Sequence, residues 1–282
     1  MSGLERRSLA PVAPRAIVSR SSFYRALSIL PREQRDAMYE IYAFCRAVDD
    51  IADDRGPDHN RIVLLDRWRA DIKRLYSGGG ATELTRGLAG PVRAFNLRQE
   101  DFVAIIGGME MDVRHDMRAP DWAALELYCD RVASAVGRLS VRIFGIEDEK
   151  GWQLSHHLGR ALQMTNILRD LDEDATMGRL YLPREALEEA GINEKDIEKV
   201  LAHPRLERAC AIVVGRAKLH FAEAWAVIIS CRRESVRSPR VMASVYQALL
   251  DRLVARGWTP PRGKVRVSKL KFLWAVLRHG II

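Results

Sequence analysis

The stretch REQRDAMYEIYAFCRAVDD, residues 32–50, carries its apolar side chains at the spacing of a single helix face. These residues follow one another at steps of mostly three and four positions, which is the period of an amphipathic α-helix. They are Ala37, Met38, Ile41, Tyr42, Cys45 and Val48. Pro31 precedes the stretch, where its fixed φ suits the first turn of a helix. The stretch therefore predicts a long helix that is buried on one side and ends among acidic residues.

The helical period continues through most of the chain, and the strict alternation of a β-strand is almost absent. Long helices are predicted over residues 66–76, 98–114, 121–145, 152–172, 206–230 and 239–256, with a short one after residue 183. No repeat, low-complexity segment or linker divides these helices. The sequence thus predicts one all-α domain over residues 1–282, with loosely attached ends at 1–18 and 258–282.

The composition is that of a globular protein. The chain has 282 residues, of which 48% are hydrophobic, and this is enough for a full core. Its four cysteines lie far apart and form no CxxC pair, which fits a reducing compartment. No apolar run approaches the roughly 20 residues that span a bilayer, and none near the N-terminus suits a signal peptide. We expect a cytoplasmic protein, with peripheral contact to the inner face of the membrane as a further option.

Basic residues dominate the C-terminal end. No acidic residue follows Asp251, whereas eight Lys and Arg residues do, a number equal to the formal net charge of +8. The same end carries Leu270, Phe272 and Trp274, and basic residues mixed with apolar ones are typical of helices that lie on a membrane. A solvated end and a segment that docks on the protein body are the alternatives. Nucleic-acid binding is not favoured, because the body is neutral and lacks a recognised motif.

Two acidic segments stand out along the chain, CRAVDDIADD at residues 45–54 and NILRDLDED at residues 166–174. Asp49 and Asp53 are four residues apart, as are Asp170 and Asp174, and Asn166 lies four residues before Asp170. Residues four apart share one face of an α-helix. We therefore expect a stripe of two oxygen ligands on one helix and a stripe of three on another.

Carboxylates arrayed in this way repel one another unless a cation lies among them. Mg²⁺ prefers oxygen ligands and is commonly shared between carboxylates and substrate phosphates. Two facing stripes therefore predict a site that bridges the protein to a diphosphate through Mg²⁺. The alternative is two solvated, acidic helix ends. Asp50 and Asp54 point about 100° away from the metal-facing pair, and Asp54 is the most dispensable of the four because the helix ends beside it.

Three segments resemble signatures of the squalene/phytoene synthase family, and they occur in the family's order. They are SSFYRALSILPREQRDAMYEIYAFCRAVDDIADD, YCDRVASAVGRL and GRALQMTNILRDLDEDATMGRLYLP. The resemblance covers roughly residues 18–255. It implies an isoprenoid-synthase helical bundle with a central active-site cavity, in which two prenyl diphosphates are condensed head to head.

Matching position by position, the resemblance assigns roles to individual residues. The implied metal ligands are Asp49, Asp53, Asn166, Asp170 and Asp174. The implied diphosphate contacts are Ser22, Arg46, Arg169 and Tyr246. Phe23, Tyr42 and Gln163 match positions near the reacting carbons, and Tyr128 matches the catalytic tyrosine. Two positions depart from the family pattern, namely Arg20, where a serine is frequent, and Ser134, where a glycine is usual.

The segments VASAVGRLSVRIFG and GMEMDVRHDMRAPD are closest to bacterial family members of the hopanoid route. They imply condensation of two farnesyl diphosphates to presqualene diphosphate with Mg²⁺, for which Mn²⁺ is a possible substitute. NADPH is not expected for this half-reaction, and downstream enzymes of the squalene pathway are possible partners. The alternatives are a phytoene synthase, a complete NADPH-dependent squalene synthase, and a non-catalytic helical assembly protein.

A pair of adjacent histidines offers one further set of candidate metal ligands. His156 and His157 are adjacent in a predicted helix. Adjacent side chains on a helix point about 100° apart, so the two form a poor metal-binding pair on their own. We expect a structural role for them.

Overall fold

The computed structural model describes residue 27 and residues 29–266. The helices of residues 29–266 are, in chain order, α1 (Arg32–Asp53), α2 (Asp58–Tyr76), α3 (Ala89–Ala94), α4 (Gln99–Arg114), α5 (Trp122–Cys129), a π-helical segment (Asp130–Ser134), α6 (Ala135–Phe144), α7 (Asp148–Arg169), α8 (Leu171–Thr176), α9 (Arg184–Glu189), α10 (Ile197–Ala202), α11 (Leu206–Ser230) and α12 (Arg237–Arg256). Within this part of the chain, the β-structure is limited to an isolated bridge between Arg118 and Leu180. The predicted all-α class is confirmed, and none of the helices described is long and apolar enough to cross a membrane.

Helix α1 buries the face that its sequence predicts. Its buried residues are Ala37, Met38, Ile41, Phe44, Val48 and Ala52. Phe44 packs edge-on against Trp68 of α2 and Phe102 of α4, with ring centroids 5.3 and 5.2 Å away. The helix ends at Asp53, and Asp54 already has extended backbone. This aromatic packing holds the buried face of α1 against α2 and α4, and it thereby fixes the position of the acidic end of α1.

Two predicted helix boundaries were wrong. Helix α2 begins at Asp58 rather than at residue 66, because Pro57 directs the chain into a polar first turn that shows no apolar period. The helix predicted over residues 121–145 is interrupted by the π-helical segment between α5 and α6. A π turn holds more residues than an α turn, so the 3.6-residue period cannot be followed across it.

Helix α7 lies at the centre of the bundle. It packs most extensively against α11 and also contacts α6, α12 and the π-helical segment. Eleven of its residues are buried, including the glycines Gly151 and Gly159. A side chain at Gly159 would meet the backbone of Ser134 in the π-helical segment at 2.8 Å. The absence of a side chain at this position is what lets the two segments approach so closely.

The C-terminal end is attached more firmly than the sequence predicts. Trp258 is 2% exposed, and its indole nitrogen donates to the Leu168 carbonyl oxygen at 2.8 Å. Arg262 forms a two-pronged ion pair with Asp172. The predicted loose end beginning at residue 258 is therefore wrong for Trp258–Arg262, because a buried aromatic ring holds this segment against the end of α7. The predicted loose end at residues 1–18 lies outside the residues described.

We expect Gly159→Ala to destabilise the fold, since its Cβ would overlap the Ser134 backbone, which cannot rotate aside. Overpacking of this kind costs about 1–3 kcal/mol. Gly215 of α11 is exposed and has open space around the same position, so Gly215→Ala should stabilise by up to about 1 kcal/mol. Chemical denaturation of both variants measures the difference, and an unchanged stability in Gly159→Ala would contradict the close contact.

Candidate active site

Two adjoining cavities open between α1, the π-helical segment, α6, α7 and α12. The larger has a volume of about 360 Å³, and the smaller about 220 Å³. Both are lined by Tyr42, Cys45, Asp49, Val132, Val136 and Gln163. The shared residues show that the two cavities are parts of one chamber in the middle of the bundle.

Most of the larger cavity is apolar. Leu154, Leu158 and Leu162 of α7 line one side, and Val132 and Val136 line another. Ala133 and Gly137 also line this cavity, and because one side chain is a methyl group and the other is absent, they take up little of its space. An elongated hydrocarbon group therefore finds a surface without charged groups along most of this chamber.

The polar end of the chamber is formed by the first acidic segment and Asn166. Asp49 lines both cavities, and Asn166 lines the larger one. Burial, together with the neighbouring carboxylates of Asp53, Asp50 and Asp112, raises the pKa of Asp49 to about 6, against the opposing charge of Arg46. Negative charge is thus crowded where the apolar wall ends.

The second acidic segment meets the first through Asp112 of α4. Burial, together with the charges of Asp170 and Asp112, raises the pKa of Asp174 to about 7. Asp112 also acts on Asp49, as described above, and Asp53 acts on Asp112. The two segments therefore converge, as the sequence predicts, and Asp112 is a carboxylate that the sequence reasoning missed.

The expected single stripe of Asn166, Asp170 and Asp174 on one helix is wrong. Helix α7 ends at Arg169, Asp170 lies at the junction, and Asp174 belongs to α8. The spacing survives because the Asp170 N–H donates to the Asn166 carbonyl at 2.9 Å, and the Asp174 N–H donates to the Asp170 carbonyl at 2.8 Å. The helical hydrogen bonds thus carry the pattern across the break between the two helices.

Arg179 links the two acidic segments from a position that sequence reasoning did not select. Its guanidinium donates to Asp53 Oδ1 at 2.7 Å and to the Ala52 carbonyl at 3.1 Å. Its side chain is only 11% exposed. The residue lies in GRLYLP, directly after the second acidic segment, and this position in a signature was the signal that could have identified it.

Two partly exposed arginines also form ion pairs with these carboxylates. Arg46 contacts Asp49 at 2.9 Å and Asp50 at 2.6 Å. Arg169 donates two hydrogen bonds to the Asp170 carboxylate, from Nε at 2.6 Å and from Nη2 at 2.5 Å. It also hydrogen-bonds to Tyr246. About half of the Arg46 side chain is exposed. Its guanidinium can therefore leave a carboxylate partner and bind a phosphate without passing through the buried core.

Tyr128 belongs to a buried polar group beside the smaller cavity. Its hydroxyl donates to Asp112 Oδ2 at 3.0 Å, and the Tyr181 hydroxyl donates to Asp112 Oδ1 at 2.6 Å. The two rings stack with centroids 4.9 Å apart. Burial, and then the Asp112 charge, raise the pKa of Tyr128 well above its ordinary value. The phenol is therefore held as a proton donor whose direction Asp112 fixes.

The residues present fit a bound Mg²⁺ ion. The Asn166 side-chain oxygen is buried and accepts no hydrogen bond from any described residue. A buried acceptor without a partner is costly, and it lies beside Asp49 in the wall of one cavity. Hard oxygen donors that repel one another are the donor set that Mg²⁺ takes.

The predicted site residues line one of the two cavities, belong to the charged groups beside them, or lie outside the residues described. Asp49, Tyr42, Gln163, Asn166 and Tyr246 line the larger cavity, and Arg46 and Tyr128 line the smaller. Asp53, Asp170, Asp174 and Arg169 form the charged shell of ion pairs and like charges beside it. Ser22 and Phe23 lie outside the residues described. Phe44 packs in the core and lines neither cavity.

A helical bundle around an apolar chamber, closed at one end by two acidic segments, is the architecture of the all-α isoprenoid synthases. The family model for squalene/phytoene synthase matches residues 18–271. The chain belongs to the squalene/phytoene synthase family.

Individual relatives agree with this assignment. The presqualene diphosphate synthase of Rhodopseudomonas palustris is 51% identical over 272 residues, covering 96% of this chain and 97% of the relative. That of Zymomonas mobilis is 52% identical, covering 92% of this chain and 88% of the relative. The crystal structure of squalene synthase HpnC from Alicyclobacillus acidocaldarius is 32% identical with a TM-score of 0.77, covering 86% of this chain and 91% of that one.

The raised carboxyl pKa values predict that, without Mg²⁺, the stability of the folded protein falls as the pH rises. Between the ordinary value of 3.8 and about 7, the folded state binds more protons at Asp174 than the unfolded chain does. The stability that the folded state gains from this extra proton uptake is therefore lost as the pH rises through this range. We expect Asp174→Asn to remain folded to higher temperature than the wild type at about pH 8, and to lose the stabilisation that Mg²⁺ gives the wild type.

Thermal unfolding with and without Mg²⁺ measures both effects. Glu189→Gln, which removes an exposed carboxylate at the end of α9, is the matched control and should behave as the wild type. A lower unfolding temperature for Asp174→Asn in the absence of Mg²⁺ would show that the carboxylates do not repel one another as described.

Proposed function

We propose that this protein condenses two farnesyl diphosphate molecules head to head into presqualene diphosphate, with release of one diphosphate and dependence on Mg²⁺. The observation that carries the proposal is the apolar chamber that ends at two converging carboxylate segments and an unsatisfied Asn166 oxygen. One end suits a prenyl chain, and the other suits a metal-bound diphosphate. The identity of about half over nearly the whole length of presqualene diphosphate synthases supports this product within the family.

The residues proposed to hold Mg²⁺ are Asp49, Asp53, Asn166, Asp170 and Asp174. The chemistry that Mg²⁺ supplies when bound is stabilisation of the negative charge on a departing diphosphate. Arg46 and Arg169 already contact Asp49 and Asp170. We propose that their guanidinium groups bind diphosphate oxygens, because a guanidinium matches phosphate and carboxylate geometry equally well.

Departure of diphosphate from one substrate leaves an allylic cation, which water would quench. The leucine and valine side chains of the larger cavity exclude water from that cation. Tyr42 lines both cavities, and the face of an aromatic ring stabilises positive charge nearby. The double bond of the second farnesyl diphosphate attacks the cation, and loss of a proton closes a cyclopropane ring.

Tyr128 is assigned to orienting the reacting groups rather than to removing the proton. Its phenol already donates to Asp112, and its raised pKa keeps it protonated at neutral pH. A protonated phenol is a poor base. The released diphosphate, held beside the same chamber, is the proposed acceptor of the proton lost on ring closure.

The proposed location is the cytoplasm, with peripheral contact to the inner face of the membrane. Farnesyl chains partition into lipid, so a protein that receives and releases them benefits from a position at the surface of a bilayer. Basic and apolar residues are mixed over residues 264–278, which is the composition of membrane-surface segments. Downstream enzymes of the squalene pathway are proposed as partners on the same grounds of product transfer.

Product analysis tests the function. We expect the purified protein with farnesyl diphosphate and Mg²⁺, without NADPH, to form presqualene diphosphate and free diphosphate. The Asp170→Asn variant should lose at least about a hundredfold of this rate, since it removes a proposed metal ligand. The matched control is Asp54→Asn, because Asp54 lies outside α1, where it accepts a hydrogen bond from the Gly56 N–H.

Each alternative predicts a different product. Phytoene formed from geranylgeranyl diphosphate would identify a phytoene synthase, and squalene formed whenever NADPH is added would identify a complete squalene synthase. A folded protein that forms no product with either substrate would favour the non-catalytic assembly role. Equal turnover in Asp170→Asn and the wild type would overturn the proposed metal site.

The membrane proposal is tested by truncation after residue 266. Deletion of residues 267–282 leaves the docked Trp258 and Arg262 contacts intact, so the fold should be retained. Co-sedimentation with vesicles that contain anionic lipid should fall several-fold, because each basic residue near such a surface contributes about 1 kcal/mol. Neutral vesicles are the control, and equal binding of both proteins to anionic vesicles would refute a role for this segment.

A further inference from the structure

Three histidines converge on the side of α7 that faces α11. His156 and His157 belong to α7, and His220 belongs to α11; all three are partly buried. One ring nitrogen from each lies within 4.8 Å of the others. The Nδ1 atoms of His157 and His220 are only 3.1 Å apart. The third histidine thus completes a set that the sequence-adjacent pair cannot form alone.

The three rings are mutually inclined rather than stacked in a row. The planes of His156 and His157 meet at 81°, those of His156 and His220 at 59°, and those of His157 and His220 at 44°. Trp152, one turn before His156, stacks on the His156 ring at 5.2 Å and 21°. Trp152 therefore covers one face of the His156 ring, and a nitrogen of each of the three rings lies close to the other two.

This spacing is close to that of ligands around a tetrahedral metal ion. Zn–N bonds of about 2.0–2.1 Å at the tetrahedral angle separate two nitrogens by about 3.3–3.4 Å. The His157–His220 pair already approaches that distance. The remaining pairs need to close by no more than about 1.5 Å, which a rotation of half-buried imidazole rings about χ2 provides.

The electrostatic surroundings favour neutral imidazoles, which are the form that binds metal. Burial lowers the pKa of His220 to about 4 and also lowers those of His156 and His157. Arg160 lies close by, but its charge is largely taken up by Glu126, to which its Nε donates at 2.7 Å. Glu223 of α11 is near enough to His157 to act on its pKa, and it offers a carboxylate for a fourth position.

A hydrogen bond between His157 and His220 is the competing explanation for the 3.1 Å contact. It requires one ring to carry its proton on Nδ1 and the other to accept. That arrangement uses two of the three rings and does not explain why the ring of His156 converges on the same volume. A shared ion explains all three positions at once.

The cluster is separate from the aspartate site. His157 precedes Asn166 by nine residues of one helix, which is about 14 Å along its axis. The ligand types also differ, because imidazole suits zinc and its neighbours in the transition series, whereas carboxylate suits Mg²⁺. The two sites therefore favour different ions.

We propose that His156, His157 and His220 bind a divalent transition-metal ion of the zinc class, which clamps α7 to α11. Its fourth position is open to water or to Glu223. Because α7 carries Gln163 and Asn166 of the aspartate site further along, a clamp here would stiffen the helix that positions them. This role is structural and does not depend on the reaction proposed above.

Calorimetric titration with ZnCl₂ tests the proposal, using chelator-treated full-length protein in excess Mg²⁺ so that the aspartate site is occupied. We expect one zinc ion to bind per chain and to raise the thermal unfolding temperature. His220→Gln and His156→Gln should each weaken binding by more than about tenfold, since even loss of an outer partner of a ligand costs that much. His59→Gln, which replaces an exposed histidine of α2, is the matched control.

Two results would overturn the proposal. One is equal zinc affinity in the wild type and in both cluster variants. The other is zinc binding that is lost in Asp170→Asn but retained in His156→Gln, which would place the ion at the carboxylates. Circular dichroism checks that the variants fold; if His220→Gln does not, the half-exposed His156→Gln decides alone.

Discussion

Repulsion between carboxylates that the fold forces together is the constraint on which the rest of the site depends. Asp49 and Asp174 come from distant parts of the chain, and each has a pKa raised by burial and by neighbouring charge. Asp112 contributes to both. A fold that assembles such a group has to supply positive charge, and this chain supplies it partly through Arg179. The remaining deficit is what makes the site suited to a divalent cation and a diphosphate.

The surrounding helices keep these charges in place, and the helix that carries the second acidic segment is interrupted at Asp170. Helix α7 ends at Arg169, and the chain turns through Asp170 before it enters α8. Trp258 seals this junction by donating to the Leu168 carbonyl, one of the groups freed at the end of the helix. A tightly packed core beneath α1 opposes any retreat of Asp49 from its partners. The aromatic packing under α1 and the crowded carboxylates at its end are thus parts of one arrangement.

The chamber and the acidic end divide the work of an isoprenoid synthase between two environments. In the proposed function, the leucines and valines of the larger cavity take a hydrocarbon chain out of water, and the acidic end retains the charge. The hydroxyls of Tyr128 and Tyr181 both donate to Asp112 beside the smaller cavity, at the boundary between these environments. Directional polar groups at that boundary can orient a reacting centre without admitting solvent.

The sequence by itself determined the all-α class, the buried face of α1, and the two acidic segments with their four-residue spacing, because periodicity and short motifs are local properties. It also gave the family, since three signatures occur in order. Only the tertiary structure decided which distant residues meet. Asp112 joins the site from α4, Arg179 and Tyr181 join it from the segment that follows α8, and His220 joins His156 and His157 from another helix. No local spacing encodes such encounters, because they arise from how the helices pack.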